Sequence, residues 1–156
     1  MTLHDFLAEL ASDSPTPGGG SVAALSGALA AALTSMVANL TIGKPKYADA
    51  EPALRSVLER SEALRLELTR LVEEDEEAFN AVMAAMKLPK DGPEQQASRS
   101  AALEASLVDA ASVPLEVMGK CVEVIGLART AAEVDEHVET RGMGPGARGE
   151  RGDAGV

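Results

Sequence analysis

Between positions 52 and 87, apolar residues recur every three or four places: Leu54, Val57, Leu58, Leu64, Leu68, Leu71, Val72, Phe79, Val82, Met83 and Met86. That spacing predicts one long amphipathic helix. Charges such as Glu59, Arg60, Glu67 and Arg70 fall mostly off the stripe. Stepping forward from Leu68 and Leu71, the next stripe position is Asp75, one turn before Phe79. A carboxylate therefore sits on an apolar face. The stretch 14–43 has a different pattern, with no charge at all and many Ala, Gly, Ser and Thr residues. It predicts a helix over 21–41 enclosed on every side by other helices. The same stretch is long enough to span a membrane, but Ala and Ser insert poorly, so burial is the preferred reading.

Shorter signals complete the pattern. Thr2 and Asp5 form a capping box for a first helix whose stripe is Phe6, Leu7 and Leu10. Pro45 and Pro52 punctuate a loop in which Asp49 is placed to cap the next helix, and Asp91, Gly92 and Pro93 mark a turn. A helix is expected from Pro93 to about Ser112. Pro114 then kinks it or begins a fresh helix to about Val134, lined by Leu115, Met118, Val122 and Ile125. From Asp135 the chain turns Gly- and Arg-rich and nearly loses apolar residues, so the tail 135–156 is expected to be disordered. The fold expected is all-α: one domain over 1–134, an antiparallel bundle of about five helices, some long.

Composition sharpens this. Aromatics are 2% of the 156 residues while hydrophobic residues are 46%, so the core is Ala, Leu, Val and Met and must pack closely. The net charge of −11 argues against nucleic acid, which needs clustered Lys and Arg. Cys121 is the single cysteine, on an apolar helix face, which fits a buried thiol in the reducing cytoplasm. The N-terminal residues are acidic rather than the basic start of a signal peptide. His4 and His137 are isolated, and no metal-binding spacing exists.

Candidate chemistry concentrates at two places. Gly18, Gly19 and Gly20, followed by Ser21, open the uncharged helix. A Gly-rich helix start lets backbone N–H groups approach an anion, and equally serves a helix entry that needs close packing. Asp75 is the second: a carboxylate on an apolar face is costly to ionise without a partner, which suits a general acid or base and equally a paired structural Asp. Its neighbours Glu73, Glu74, Glu76 and Glu77 read as a solvated face. Asn39 lies near the end of the uncharged helix and, if buried, needs a partner. Lys44, Lys46, Lys87 and Lys90 each stand beside a Pro or Gly turn, where solvation is the default reading of each one alone.

The wording of these segments is more specific than their spacing. PTPGGGSVAA, then MVANLTIGKPKY, resemble the cyclodeaminase/cyclohydrolase family of all-helical folate enzymes, through Phe6, Ser14, Pro15, Pro17, Gly18, Gly19, Gly20, Ser21, Met36, Val37, Asn39, Leu40, Gly43, Lys44 and Tyr47. EEDEEAFNAVMAAMKLPK and ASVPLEV resemble two further blocks, in the family's order. The resemblance implies a tetrahydrofolate derivative as substrate, with no cofactor beyond it and no metal. It implies one of two reactions, formimidoyltetrahydrofolate cyclodeamination or methenyltetrahydrofolate hydrolysis. Asp75 would be the acid/base. Gly18, Gly19, Gly20, Ser21, Asn39, Lys44, Tyr47, Lys87, Lys90 and Arg99 would bind substrate, with Tyr47 and Phe79 offering ring surfaces and Arg99 pairing with Asp75 or with substrate. Two chains are expected to associate through small-residue faces, with neither nucleic acid nor membrane as partner. The family continues past this point with two more helices that the chain lacks. The rival reading is therefore a non-catalytic dimerisation or folate-binding module inactivated by truncation; a small membrane-associated protein is the third.

Overall fold

The computed structural model describes the backbone of residues 2–142 and the side chains of residues 2–134. Four α-helices follow one another: α1 (Leu3–Leu10), α2 (Gly19–Thr41), α3 (Glu51–Met86) and α4 (Pro93–Gly142), with a 3-10 helix, Pro45–Ala50, between α2 and α3. The chain is all-helical over the described residues, with four α-helices where about five were expected. The difference lies at Pro114, which interrupts nothing: it sits inside a continuous α4. Pro114 is exposed, so water can take up the carbonyl its ring leaves unbonded. The described backbone also includes the first part of the expected tail. The backbone stays helical to Gly142, because a helix already propagating needs only one further bond per residue until the glycine-rich run starts. Positions 143–156 lie outside the described residues.

Local rules account for the element ends. Thr2 and Asp5 form the expected capping box, with Asp5 N donating to Thr2 Oγ1 at 3.2 Å and Thr2 N to Asp5 Oδ2 at 2.9 Å. Gly43 sits at φ 80°, where a side chain would be strained, and ends the α2 segment. Asp49 falls inside the 3-10 helix, and Ala50 rather than Asp49 occupies the cap position of α3.

The three long helices pack on one another, with Phe6 of α1 joining their core. Ser21 meets Asp75 and Ser35 meets Ser61, so α2 and α3 run antiparallel. Arg60 meets Glu123 and Lys120 meets Glu67, so α3 and α4 do the same. Leu54, Leu64, Leu68 and Leu71 are at most 1% exposed and supply the largest apolar burial, each worth about 1.5–3 kcal/mol. α2 meets them with Ala24, Gly27, Ala28 and Ala31. At Gly27 an added Cβ would lie 2.7 Å from Cys121 Sγ and 3.1 Å from Leu68 Cδ1, so any side chain here would force those neighbours to shift.

Two expectations about faces are corrected. α2 is not enclosed all round, because only α3 and α4 are available to cover it. Its outer stripe is open: Leu29 (58% exposed), Leu33, Met36, Val37 and Leu40. On α4 the inward residues are Val117, Val124 and Ala131, whereas Leu115, Met118, Val122 and Ile125 form a second stripe facing outward. α2 has the length and hydropathy (1.7) of a membrane span, yet its small-residue face packs inside the bundle.

Candidate functional site: a carboxylate clamped at a glycine-rich helix start

The start of α2 is built around Asp75. Ser21 donates twice to Asp75 Oδ2, from its backbone N at 2.8 Å and from its hydroxyl at 2.9 Å. Gly18 is the N-cap residue and makes no side-chain cap bond, so a carboxylate from α3 takes that role. A negative group is favoured there by the unpaired N–H groups and the helix dipole. The three glycines have different reasons. A Cβ on Gly20 would lie 2.0 Å from Asp75 Oδ1, whereas one on Gly19 would meet nothing within 4 Å. None of the three has positive φ. Gly20 is needed for the approach of Asp75, and Gly19 leaves an open surface beside it.

Asp75 is half-buried. Its Oδ2 is committed to Ser21, while Oδ1 takes no hydrogen bond from a described residue and is not among the buried unpartnered atoms. Oδ1 is therefore the oxygen open to a visitor. Phe79, one turn further along α3, is 36% exposed, which leaves an aromatic face near Asp75.

Glu76 is the residue that sequence reasoning missed. It was grouped with a solvated face, but its Oε1 is buried without a hydrogen-bond partner among the described residues. Burial, together with the charges of Glu9, Asp75 and Glu73, holds its carboxyl above the usual range. Nothing in the spacing marks it, because burial of one carboxylate oxygen depends on packing that a helical stripe does not show. Among the described residues no three His, Cys, Asp or Glu side chains converge as metal ligands.

The remaining sequence-predicted residues lie elsewhere. Gly18, Gly19, Gly20, Ser21 and Asp75 are together. Asn39, Lys44 and Tyr47 are at the far end of α2, about 30 Å away at the helical rise. Asn39 is exposed, which removes its need for a protein partner. Lys46 Nζ lies 5.1 Å from the centre of the Tyr47 ring, a cation–π contact. Lys87 and Lys90 are exposed beyond the other end of α3, Lys87 about 18 Å past Asp75. Among the described residues Arg99 pairs with neither Asp75 nor another carboxylate. Its guanidinium donates to the Met86 carbonyl, at 3.3 Å from Nε and 3.1 Å from Nη2, and closes the end of α3.

Comparison with known proteins bears on this arrangement. The formiminotransferase-cyclodeaminase family model matches residues 2–139. A methenyltetrahydrofolate cyclohydrolase of Methylorubrum extorquens is 53% identical over 132 residues, 85% of this chain and 64% of the relative. The formimidoyltransferase-cyclodeaminase of Sus scrofa is 43% identical over 113 residues, 72% of this chain and 21% of the relative. The chain thus spans less than two-thirds of the length of these curated relatives. The crystal structure of formiminotetrahydrofolate cyclodeaminase from Thermotoga maritima superposes with a TM-score of 0.63 at 29% identity, over 90% of this chain and 77% of that one. With a family match across nearly all the described residues, the chain belongs to the formiminotransferase-cyclodeaminase family.

Proposed function

We propose that this chain acts on a tetrahydrofolate carrying a one-carbon unit, with Asp75 as the acid/base. The observation that carries the reading is the division of labour in that carboxylate. Ser21 fixes Oδ2 with two donors, while Oδ1, over Gly20, takes no hydrogen bond from a described residue, and the exposed ring of Phe79 is one turn further along α3. A fixed carboxylate with one free oxygen can take a proton and return it without moving.

Both reactions open to such a site need that. In hydrolysis of the methenyl bridge, the oxygen of water bonds to the bridge carbon and loses a proton to Oδ1. The tetrahedral carbon then breaks one C–N bond: the departing nitrogen takes up the proton from Oδ1, and the remaining hydroxyl proton is released to water as the formyl C=O forms. In cyclodeamination, a folate nitrogen bonds to the formimidoyl carbon and loses its proton, and the C–N bond to the outgoing nitrogen breaks as that nitrogen is protonated and leaves as ammonia. Neither scheme uses a cofactor beyond the folate. The hydrolytic reaction is the first to test, since the relative with 53% identity is a cyclohydrolase. Cys121, a free thiol packed near Gly27, suits work in the reducing cytoplasm.

The experiment is to follow the near-ultraviolet absorbance of methenyltetrahydrofolate with purified protein. Loss faster than in buffer supports the enzyme. Folate binding with no added loss instead favours the binding module.

A further inference from the structure

Buried positions recur along α2 in alternating steps of three and four: Ser21, Ala24, Ala28, Ala31, Ser35 and Ala38. Those of α3 do the same through Leu54, Val57, Ser61, Leu64, Leu68 and Leu71, and Asp75 is the next place in the series. This is the heptad spacing of helices that pack along a shared seam. Two hydrogen bonds fix how the two series meet. Ser21 meets Asp75; fourteen residues on, Ser35 Oγ lies 2.8 Å from Ser61 Oγ, fourteen residues back along α3. Both bonds therefore report one register. Between them the seam sets Ala24, Ala28 and Ala31 against Leu64, Leu68 and Leu71, which repeat too evenly to choose a register themselves. The glycines repeat as well. Gly20 gives room to Asp75, and Gly27, seven residues later, gives room to Leu68, seven residues earlier. A slip of one heptad would seat Leu68 against Gly20 as it now sits against Gly27.

We propose that the Ser35–Ser61 pair is the register pin of the α2–α3 seam and a positioning element for Asp75, holding that carboxylate beneath Ser21 from about 21 Å away. Ser35 is 3% exposed and Ser61 0%, so neither hydroxyl reaches water. The slip just described would part them inside the seam, with Ser61 opposite Ala28 and Ser35 opposite Leu54. It would also carry Asp75 about 10 Å along the axis from Ser21. A polar pair at a seam position specifies register in this way. Ser35 has a further hold on the same turn of α3, since it helps Arg65 keep the Glu62 carboxyl below its usual range. The other bond of Ser61, to the Leu58 carbonyl at 3.1 Å, lies within α3 and favours no register. The Ser21–Asp75 clamp discriminates less by itself, because a half-buried carboxylate that leaves Ser21 can turn into water. The pin is read from the seam; its consequence for turnover rests on the functional reading above.

Register is read without activity by pulsed dipolar EPR. Spin labels go on Ser26→Cys and Glu59→Cys, exposed positions of α2 and α3, in a Cys121→Ser background. A one-heptad slip changes their offset along the axis by about 10 Å. The labelled parent should give one distance, and Ser35→Ala/Ser61→Ala should add a second. Making both partners apolar is nearly neutral for stability, so Tm of the alanine pair should stay within about 3 °C of the parent. If the parent is active, kcat on methenyltetrahydrofolate should fall about tenfold with KM within about twofold, since displacing the reacting group costs rate while the folate is still held. Ser35→Cys/Ser61→Cys, again with Cys121→Ser, makes the pin covalent and reversible. Oxidised, it should turn over like its background; reduced with dithiothreitol, it should lose rate toward the alanine pair. One unchanged distance in the alanine pair overturns the pin whatever the chemistry. A second distance with parental kcat, or a fall in Tm with kcat kept, overturns the positioning role. A parent inert toward folates overturns the functional reading and leaves the distances to decide the pin.

Discussion

Gly20→Ala is the change for which the structure gives the clearest magnitude. The new Cβ would lie 2.0 Å from Asp75 Oδ1, 2.5 Å from Cγ and 2.7 Å from Oδ2. Ordinary contact needs about 3.4 Å or more, so the carboxylate must move by about 1.4 Å. That breaks both bonds from Ser21, which are 2.8 and 2.9 Å in the parent. Hydrogen bonds to a charged group are worth about 1.5–3 kcal/mol each. The half-buried carboxylate recovers part of this by turning into water, so a net loss of about 1–2 kcal/mol is expected. In a domain of this size that is roughly 3–8 °C in Tm. Turnover should fall further, by about 10²-fold, because a shift of about 1 Å in a reacting group costs that much. Gly19→Ala is the internal control: nothing lies within 4 Å of its Cβ, and stability should hold within about 0.5 kcal/mol. Thermal unfolding by circular dichroism and the absorbance assay read both variants. If Gly20→Ala matches Gly19→Ala in Tm and turnover, the clamp around Asp75 is not as described.

Other outcomes follow from the same contacts. Gly27→Ala should cost about 1–3 kcal/mol by overpacking Cys121 and Leu68, and the double variant Gly27→Ala/Cys121→Ala should be less destabilised than the sum of its parts when urea midpoints are compared. Glu76→Gln should raise Tm near neutral pH and lose that advantage as pH falls through the raised value toward 4.5: the folded state holds the Glu76 proton more tightly than the unfolded one, so the parent's penalty is present only where Glu76 is ionised. Glu67 behaves oppositely. The hydrogen bond from Lys120 holds its carboxyl below the usual range, so its contribution is present above pH 4.5 and fades as pH falls through the lowered value; Glu67→Gln should cost stability at pH 7 and little in strong acid. Thermal melts at both pH values check each sign.

Much of the helical pattern was legible in the sequence because it is local. Thr2 and Asp5 announced α1, the spacing from Leu54 to Leu71 announced α3, and projection of that stripe put Asp75 on the inner face. What was illegible depends on the number and order of helices. An uncharged α2 reads the same whether enclosed or half open, and the choice was decided by having only α3 and α4 to pack on it. The outward stripe of α4 has perfectly good helical periodicity; Val117 and Val124, on the neighbouring face, are the residues that meet the core. Matching residues that look like one site in the linear motif were separated by geometry. A straight helix of 23 residues puts Ser21 and Lys44 at opposite ends, which no spacing rule reveals until the helix is known to be unbroken. The partly buried Glu76 was hidden for a related reason, since part of what raises its pKa is the charge of Glu9, which belongs to a distant part of the chain.

The central claim is that Asp75 moves the proton. Asp75→Asn keeps the shape and can still accept both bonds from Ser21 through its amide oxygen, while removing the titratable group. The decisive measurement compares this variant with an active parent for methenyltetrahydrofolate turnover, folate binding and Tm. The prediction is retained folding and binding with turnover reduced at least ~100-fold, the usual scale for a lost general acid or base. Turnover within a few-fold of the parent would make Asp75 only a structural cap for α2 and contradict the claim.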